Sequence, residues 1–261
     1  MIKKEFDDRI YFQSDLLADK CLQNCFTTKC VGVSHGKIDG LNLGFRVEDD
    51  VESVIQNYRF VAKDMDFDFN RITAGRQTHS ANIRVITEAE AGKGISRESE
   101  FNDVDGLVTN CCNLPLVVYY ADCVPVLMAD TDAGVIAAVH SGWRGTVAEI
   151  TANAVRIMTE TFGATAGNIK AVIGPSIGPC CFETGPEVAC EFDKNLVEAC
   201  KNGKFKVDLW TANKNILLKS GLVEENIEVS GFCTICNSDI LYSYRTHKDK
   251  TGRMGAFISL K

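Results

Sequence analysis

The strongest pattern along the chain is a series of short apolar runs between residues 83 and 140, which predicts β-strands. In chain order these runs are IRVIT, GLVTN, LPLVVYYA, VPVLMA and GVIAAVH. Turns that contain Asp or Gly lie between them, and the segment from Asp130 to Gly134 separates the last two runs as a hairpin turn would. We therefore expect the centre of a β-sheet here, with IKAVIG, IEVSGF and MGAFISL as further strands nearer the C-terminus.

Apolar residues at helical spacing predict several helices between and after these strands. An acidic cap at Asp50 opens a helix that should end before Asp66. Thr146 is expected to cap a long amphipathic helix that Gly163 ends. Two more helical stretches are predicted near residues 186 to 201 and 210 to 220. The first 50 residues predict short strands and turns, and the whole is a mixed α+β pattern rather than a regular βαβ series.

The composition is that of a folded protein and favours one domain. The chain has 261 residues, of which 45% are hydrophobic and 24% charged. No repeat or linker divides it, so we expect a single domain over residues 1 to 261. Its formal charge is −7 with scattered acidic residues, which argues against nucleic acid as the partner.

No segment has the composition expected for the membrane or for export. The longest strongly apolar stretch, Leu114 to Ala121, is closed by Asp122 and is far shorter than the roughly 20 residues of a spanning helix. The first residues lack the apolar block of a signal peptide. These features predict a cytoplasmic protein with no membrane partner.

The chain has twelve cysteines, which we expect to be mostly reduced thiols. The adjacent pairs Cys111-Cys112 and Cys180-Cys181 are interpreted as packing residues, because a bond between neighbouring cysteines strains the intervening peptide. Cys233 and Cys236 have the spacing of half a zinc knuckle or of a redox pair. Without a second such motif, packing is the favoured interpretation for them as well.

A candidate catalytic metal site comes from three residues at the ends of predicted strands. The chain has four histidines; His79 lies at the approach to one strand and His140 ends another. Cys123 follows an apolar strand. Two imidazoles and a thiolate suit zinc, and three protein ligands leave a fourth position for water or substrate. Their separations of 44 and 17 residues differ from the close ligand pairs of a structural knuckle.

Two alternatives to zinc remain open for these three residues. They could be a buried cysteine and two ordinary histidines with no metal. They could also form a blue-copper site with Met128 as the distant ligand. Four-copper laccase chemistry is excluded, because four histidines cannot supply a trinuclear centre.

Several motifs together resemble the YfiH-like, or laccase-domain, family. They are QTHS, DGLVTN, ADCVPVLMAD, AAVHSGWRGT, IGPSIGPCCFE and SYRTHKDKTGRMGAF, and the match is collinear from Phe26 to the C-terminus. The resemblance implies a layered α/β/β/α domain with mixed sheets. It implies zinc held by His79, Cys123 and His140, which are also the expected catalytic residues.

The activity implied by this resemblance is that of a purine nucleoside phosphorylase. Its substrates would be phosphate and adenosine, inosine, guanosine or methylthioadenosine, and its products the base and ribose 1-phosphate. Adenosine deaminase activity would accompany it. We expect Ser34, Arg46, Arg76, Gln77 and Arg144 to bind substrate, with Arg59 a further candidate for the phosphate.

The chain departs from the family pattern beside two of these positions. Ser80 stands where the family commonly has Gly after the histidine, and Val31 stands in a commonly Gly-Gly-Val-Ser segment. Neither change removes a metal ligand. We expect any effect of the two changes to be on substrate preference.

Three other functions are alternatives to the phosphorylase. They are a copper-dependent phenol oxidase, a hydrolase with Cys123 as nucleophile and His140 as base, and a non-enzymatic interaction protein.

Overall fold

The computed structural model describes residues 1–261 and contains fifteen strands. They are β1 Ile2–Phe6, β2 Arg9–Gln13, β3 Leu22–Thr27, β4 Thr73–Ala74, β5 Ile83–Val85, β6 Gly106–Thr109, β7 Leu116–Tyr120, β8 Val124–Asp130, β9 Val135–Ser141, β10 Lys170–Ile173, β11 Glu183–Thr184, β12 Val197–Ala199, β13 Phe205–Val207, β14 Ile227–Val229 and β15 Met254–Leu260. Six α-helices connect or cover them: α1 Val51–Asp64, α2 Trp143–Val147, α3 Ile150–Phe162, α4 Pro186–Ala189, α5 Leu209–Lys219 and α6 Tyr244–His247.

Two six-stranded sheets of mixed direction pack face to face. The first has the order β1-β2-β3-β15-β7-β4 and the second β14-β10-β8-β9-β6-β5, while β11, β13 and β12 form a small third sheet. Between the two large sheets lies a core of 25 buried residues, to which Phe26 and Val118 come from one sheet and Leu127 and Ala138 from the other. Strands such as β8 and β9 are buried at every position, because one face of the sheet packs on the other sheet and the opposite face packs on helices.

Helices cover the outer face of each large sheet. On the second sheet, α3 and α5 bury Ala154 and Leu217 against a core that includes Val126. On the first sheet, α1 buries Tyr58 against Phe257. The resulting α/β/β/α layering confirms the expected fold class.

The predicted strands and the first helix are confirmed. All eight apolar runs contain strands, and β8 pairs with β9 as an antiparallel hairpin whose Gly134 has a φ of +62°. Helix α1 begins after Asp50, whose side chain accepts a hydrogen bond from the Ser53 N–H. Such a cap contributes about 1 kcal/mol.

Two helix predictions are wrong in part. The helix expected from Thr146 is split: α2 ends at Val147, and α3 begins only after Glu149, which has the left-handed φ of +53°. Gly163 does end it, in the left-handed conformation. The stretch near 186 to 201 forms only the one-turn α4 followed by strand β12, whereas α5 confirms the stretch near 210 to 220. None of the helices has the length and apolar character needed to cross a membrane.

Candidate metal centre and its cavity

His79, Cys123 and His140 meet at one end of the two large sheets. Their ligand atoms all lie within 4.8 Å of one another. The rings of His79 and His140 are 5.1 Å apart between centroids and nearly perpendicular, with an interplanar angle of 71°. The donor set of two imidazoles and a thiol fits zinc, and copper also accepts such ligands.

Strand pairing explains why residues so distant in sequence converge. Strands β4 and β7 run parallel, so the segments that leave their carboxyl ends, with His79 and Cys123, start from the same edge. Both segments then cross to the second sheet, where β9 pairs with β8 and places Ser141 opposite Val124. His140 therefore arrives beside Cys123 from the neighbouring strand.

A buried carboxylate orients the second histidine. His140 Nδ1 lies 2.8 Å from Asp105 Oδ1, and the side chains of both residues are almost completely buried. With Nδ1 held in this way, Nε2 is the ring nitrogen left to bind a metal. Asp105 is thus a functional residue that our sequence analysis missed, although it stands within the segment DVDGLVTN that overlaps a family motif.

Asp105 also fixes the segment that carries the first histidine. Its two oxygens accept hydrogen bonds from the backbone N–H groups of Thr78, His79 and Ser80 at 2.9 to 3.0 Å. His79 adopts a left-handed backbone with a φ of +68°, which a non-glycine residue holds only when its surroundings impose it. The Ser80 hydroxyl, found where the family commonly has Gly, donates a further bond to Asp105 at 3.1 Å. One carboxylate therefore positions two of the three ligands.

The charges of the site favour the ionised forms of Cys123 and Asp105. Burial alone would raise the pKa of Cys123, but His140 and His79 lower it to about 6. Burial also opposes ionisation of Asp105, yet His140 and the surrounding N–H groups lower its pKa to about 2. The thiolate is the form of cysteine that binds metal, so it is available at neutral pH.

Gly142 allows the close approach of the three ligands. A Cβ atom at this position would lie 3.1 Å from Cys123 Sγ and 3.1 Å from His79 Cδ2. Any larger residue would push at least one ligand away. The sequence SGWRGT after His140 therefore contains a glycine that the site geometry requires.

The three ligands line a cavity of about 710 Å³. Aromatic residues form much of the remaining wall, among them Tyr119, Trp143 and Phe182. A volume of this size is ample for a nucleoside-sized molecule. The predicted metal site therefore opens on a space that a small substrate can enter.

Four arginines line the same cavity: Arg46, Arg76, Arg245 and Arg253. None of them forms an ion pair with a carboxylate. Arg253 is half-buried, and its Nη1 donates to the carbonyls of Thr251 and Gly252 at 3.0 and 3.1 Å. The four guanidinium groups thus bring positive charge to the cavity without being neutralised in ion pairs, which suits an anionic ligand.

Two of the expected substrate-binding residues lie outside the cavity. Ser34 is fully buried, where its hydroxyl donates to Asp49 at 2.7 Å and accepts from Asn57 at 3.0 Å. Arg144 is exposed and stacks on the neighbouring Trp143 ring at 4.2 Å. The hydroxyl of Ser34 is therefore engaged with other parts of the chain. Arg59 likewise pairs with Glu52 on the surface of α1.

Gln77 lines the cavity but uses its amide for structure. Its Nε2 donates to the Tyr119 carbonyl and its Oε1 accepts from the Tyr119 N–H, both at 2.7 Å. These two hydrogen bonds continue the contact with β7 beyond Ala74, the last residue of β4. Gln77 therefore positions the loop that leads to His79, and its polar atoms are not free to bind substrate.

Met128, the proposed axial ligand of a blue-copper site, lies far from the three candidate metal ligands. Met128 is completely buried in the core between the second sheet and its helices. It stands opposite Ala137 in the hairpin, whereas Cys123 lies just before Val124 at the other end of the strand. At about 3.3 Å per residue, the two are roughly 16 Å apart along β8, so Met128 does not complete a blue-copper site.

Comparison with known proteins identifies relatives over most of the chain. A family described as multi-copper polyphenol oxidoreductase laccase matches residues 23–261. The chain is 35% identical over 244 residues to a Bacillus subtilis protein named purine nucleoside phosphorylase YlmD, covering 90% of this chain and 87% of that protein. It is 36% identical over 234 residues to adenosine deaminase RL5 from an unknown prokaryotic organism, covering 84% and 89% respectively.

A solved structure has the same fold over almost the whole chain. The crystal structure of YlmD from Geobacillus stearothermophilus superimposes with a TM-score of 0.92 at 30% sequence identity, over 99% of this chain and 98% of that chain. The fold and the two-histidine, one-cysteine cluster define a layered α+β enzyme with a candidate metal site. The chain belongs to the laccase-like, YfiH family.

Proposed function

We propose that this protein is a zinc-dependent purine nucleoside phosphorylase that also deaminates adenosine. The observation that carries the proposal is one cavity that joins the three candidate metal ligands to four arginines without carboxylate partners. The names of the relatives support both activities. Adenosine, inosine, guanosine and methylthioadenosine are the substrates we expect, in the cytoplasm, where the twelve unpaired cysteines would stay reduced.

The arginines provide the phosphate site in this proposal. Phosphorolysis requires phosphate aligned behind the anomeric carbon of the ribose. A planar guanidinium binds two phosphate oxygens at once, and Arg253 directs its remaining N–H groups from a half-buried position. Arg46, Arg76 and Arg245 supply further positive charge around the same cavity.

The aromatic wall provides the site for the base. Tyr119, Trp143 and Phe182 present flat apolar surfaces that a purine ring can stack on. Burial of the ribose and base between this wall and the metal ligands would exclude water, which competes with phosphate for the anomeric carbon.

The three ligands would hold zinc where the purine leaves. Zinc, when bound, supplies a Lewis acid that stabilises developing negative charge. The chain contributes the geometry: Asp105 keeps His140 Nδ1 occupied and fixes the backbone at His79. Cys123 contributes a thiolate at neutral pH because its pKa lies near 6.

Asp122 is the carboxylate among the cavity residues, so it is the group we assign to proton exchange in deamination. Its oxygens accept hydrogen bonds of 2.6 Å from the Thr234 hydroxyl and the Arg245 N–H. These bonds also anchor the turn before Cys123. An Asp122→Asn variant should therefore lose deamination more strongly than phosphorolysis.

The proposal is tested by incubating zinc-loaded, metal-quantified protein with adenosine, with and without phosphate, and separating the products by chromatography. We expect adenine and ribose 1-phosphate only when phosphate is present, and inosine in its absence. A Cys123→Ala variant serves as the control for contaminating enzymes. Zinc-loaded protein that forms none of these products would refute the proposal.

A cysteine hydrolase is the second candidate, because Cys123, His140 and Asp105 also form a nucleophile, a base and an orienting carboxylate. It predicts that alkylation of Cys123 abolishes activity and that zinc inhibits. The phosphorylase predicts that zinc protects Cys123 from alkylation and restores activity. A copper phenol oxidase, suggested by the family description, would be blue and would consume oxygen.

A further inference from the structure

Four other cysteines gather at a second place in the molecule. The Sγ atoms of Cys180, Cys181, Cys233 and Cys236 all lie within 4.8 Å of one another. Cys236 Sγ is 3.7 Å from Cys180 Sγ and 3.6 Å from Cys181 Sγ. We call these residues the four-cysteine cluster, and we propose that it is a structural zinc site distinct from the His79, Cys123 and His140 centre.

The distances between the sulfur atoms support a tetrahedral ion. Zinc binds thiolate at about 2.3 Å, so the edge of a regular tetrahedron of four sulfurs is about 3.8 Å. The two short separations already match this edge, and the remaining ones require a contraction of about 1 Å or less. A tetrathiolate site of this kind is closed, because it leaves no coordination position for substrate.

The same distances argue against a disulfide. A disulfide requires sulfur atoms about 2.05 Å apart, and Cys236 stands almost equally far from two candidate partners. Neither neighbour is thus selected over the other. Four sulfur atoms that converge without a preferred pair are typical of a shared ion.

The surrounding backbone has features expected of a zinc knuckle. Cys233 and Cys236 lie on a turn in which the Asn237 N–H donates to the Cys233 carbonyl at 3.0 Å. The Gly178 N–H donates to Cys233 Sγ at 3.3 Å, and this sulfur belongs to the buried member of the cluster. A backbone N–H directed at sulfur stabilises the negative charge that a thiolate brings to the metal.

Strand topology explains how two distant segments build the site. Strands β10 and β14 are parallel neighbours, with Ala171 opposite Ile227 and Ile173 opposite Val229. The loops that follow them therefore leave from the same sheet edge, and an isolated bridge joins Ser176 to Cys233. This pairing brings the adjacent cysteines of one loop onto the Cys-x-x-Cys turn of the other.

The four-cysteine cluster also supports the wall of the catalytic cavity. Ile177 and Phe182 line the cavity on either side of Cys180 and Cys181. Thr234, next to Cys233, donates its hydroxyl to Asp122 at 2.6 Å. A metal ion that ties these two loops together would hold both the wall and the turn that precedes Cys123.

Metal analysis of purified protein with matched variants tests the proposal. The wild type should hold two zinc ions per chain, and Cys180→Ser/Cys236→Ser should hold one. Both substituted thiols are exposed, so the variant should fold. Cys112→Ser/Cys190→Ser, which replaces two exposed cysteines outside both clusters, should retain two ions.

Cobalt substitution in a Cys123→Ala background isolates the second site spectroscopically. We expect intense thiolate-to-cobalt charge-transfer bands there, and their loss when Cys180→Ser and Cys236→Ser are added. The thermal unfolding midpoint of the zinc-loaded Cys180→Ser/Cys236→Ser protein should fall by roughly 5 °C relative to the control pair.

Three results would overturn the proposal. The first is a wild type that binds a single zinc ion, which Cys123→Ala abolishes. The second is mass-spectrometric detection of a disulfide among these cysteines in protein prepared without reductant. The third is iron rather than zinc in the four-cysteine cluster.

Discussion

The protein carries two clusters of candidate metal ligands that differ in almost every respect. In the first, His79, Cys123 and His140 come from three separate segments and line a large cavity. In the second, four thiols come from two loops and surround one point. Three ligands beside a cavity leave a position for chemistry, whereas four thiolates enclose the ion. This difference is what the proposed division between a reactive site and a structural one requires.

The two clusters also differ in how the chain holds them. Asp105 orients His140 and binds the backbone of His79, so the first cluster is fixed even without metal. In the second, backbone N–H groups such as that of Gly178 approach Cys233 Sγ, and two of the four cysteines are exposed. We therefore expect the first cluster to keep its geometry on metal removal, and the second to depend on its ion.

The largest expected effect comes from removing a ligand of the first cluster. Cys123→Ala or His140→Ala should lower phosphorolysis by at least about 10³-fold, because the metal supplies several kcal/mol of charge stabilisation. Product analysis and metal content measure this directly. Since the core contacts remain, circular dichroism should show a folded protein, and full activity of either metal-depleted variant would contradict the assignment.

Asp105→Asn should weaken metal binding about 10- to 100-fold, because the amide cannot accept all the bonds that orient His140 and the residue 79 backbone. Competition with a chromophoric chelator measures the affinity. Ser80→Gly is the mild comparison, since it removes one hydrogen bond to Asp105. Equal affinities of Asp105→Asn and wild type would disprove the positioning role.

The same residue predicts a pH dependence of stability in metal-free protein. The pKa of Asp105 falls from an ordinary 3.8 to about 2 on folding. Its ionised form thus stabilises the fold by about 2 kcal/mol above pH 4 or so, and this contribution is lost as the pH falls towards 2. Denaturant unfolding between these values should show that loss in the wild type and not in Asp105→Asn.

Gly142→Ala should lower kcat about tenfold, because the new methyl group would press on Cys123 Sγ and on the His79 ring, each 3.1 Å away. Gly167→Ala is the matched control, since no atom lies within 4 Å of its added methyl. Steady-state kinetics at saturating zinc compares kcat of Gly142→Ala with that of Gly167→Ala. A fully active Gly142→Ala enzyme would show that the ligands need not approach so closely.

Arg253→Lys should raise the KM for phosphate by roughly tenfold with a smaller change in kcat, because lysine loses the planar donor pair. Arg156→Lys is a suitable control, since Arg156 is exposed and pairs with Glu160. An unchanged KM for phosphate in Arg253→Lys would move the phosphate site to the other arginines of the cavity.

The sequence was sufficient to predict eight of the strands, most of them in the second sheet, and the three candidate ligands. Apolar runs bounded by turn residues predicted β5 to β10. Because the chain has only four histidines, His79 and His140 stood out as candidate ligands together with Cys123. These signals are local, since each depends on a residue type at the end of an apolar run.

What the sequence could not predict depends on which strands are neighbours. Asp105 is one of many acidic residues until the fold places it 2.8 Å from His140. For Cys180 and Cys181 the sequence indicates only packing, since it does not show the parallel pairing of β10 with β14 that brings them beside Cys233 and Cys236. The burial of Ser34 outside the cavity is likewise visible only in the folded chain, where Asp49 and Asn57 come within hydrogen-bond distance of its hydroxyl.

The most direct test measures ribose 1-phosphate formed from adenosine and phosphate by three proteins of known zinc content. We expect the wild type to be active with two zinc ions, Cys123→Ala to be inactive with one, and Cys180→Ser/Cys236→Ser to retain activity with one. Phosphate-dependent product from Cys123→Ala, or none from the zinc-loaded wild type, would contradict the account.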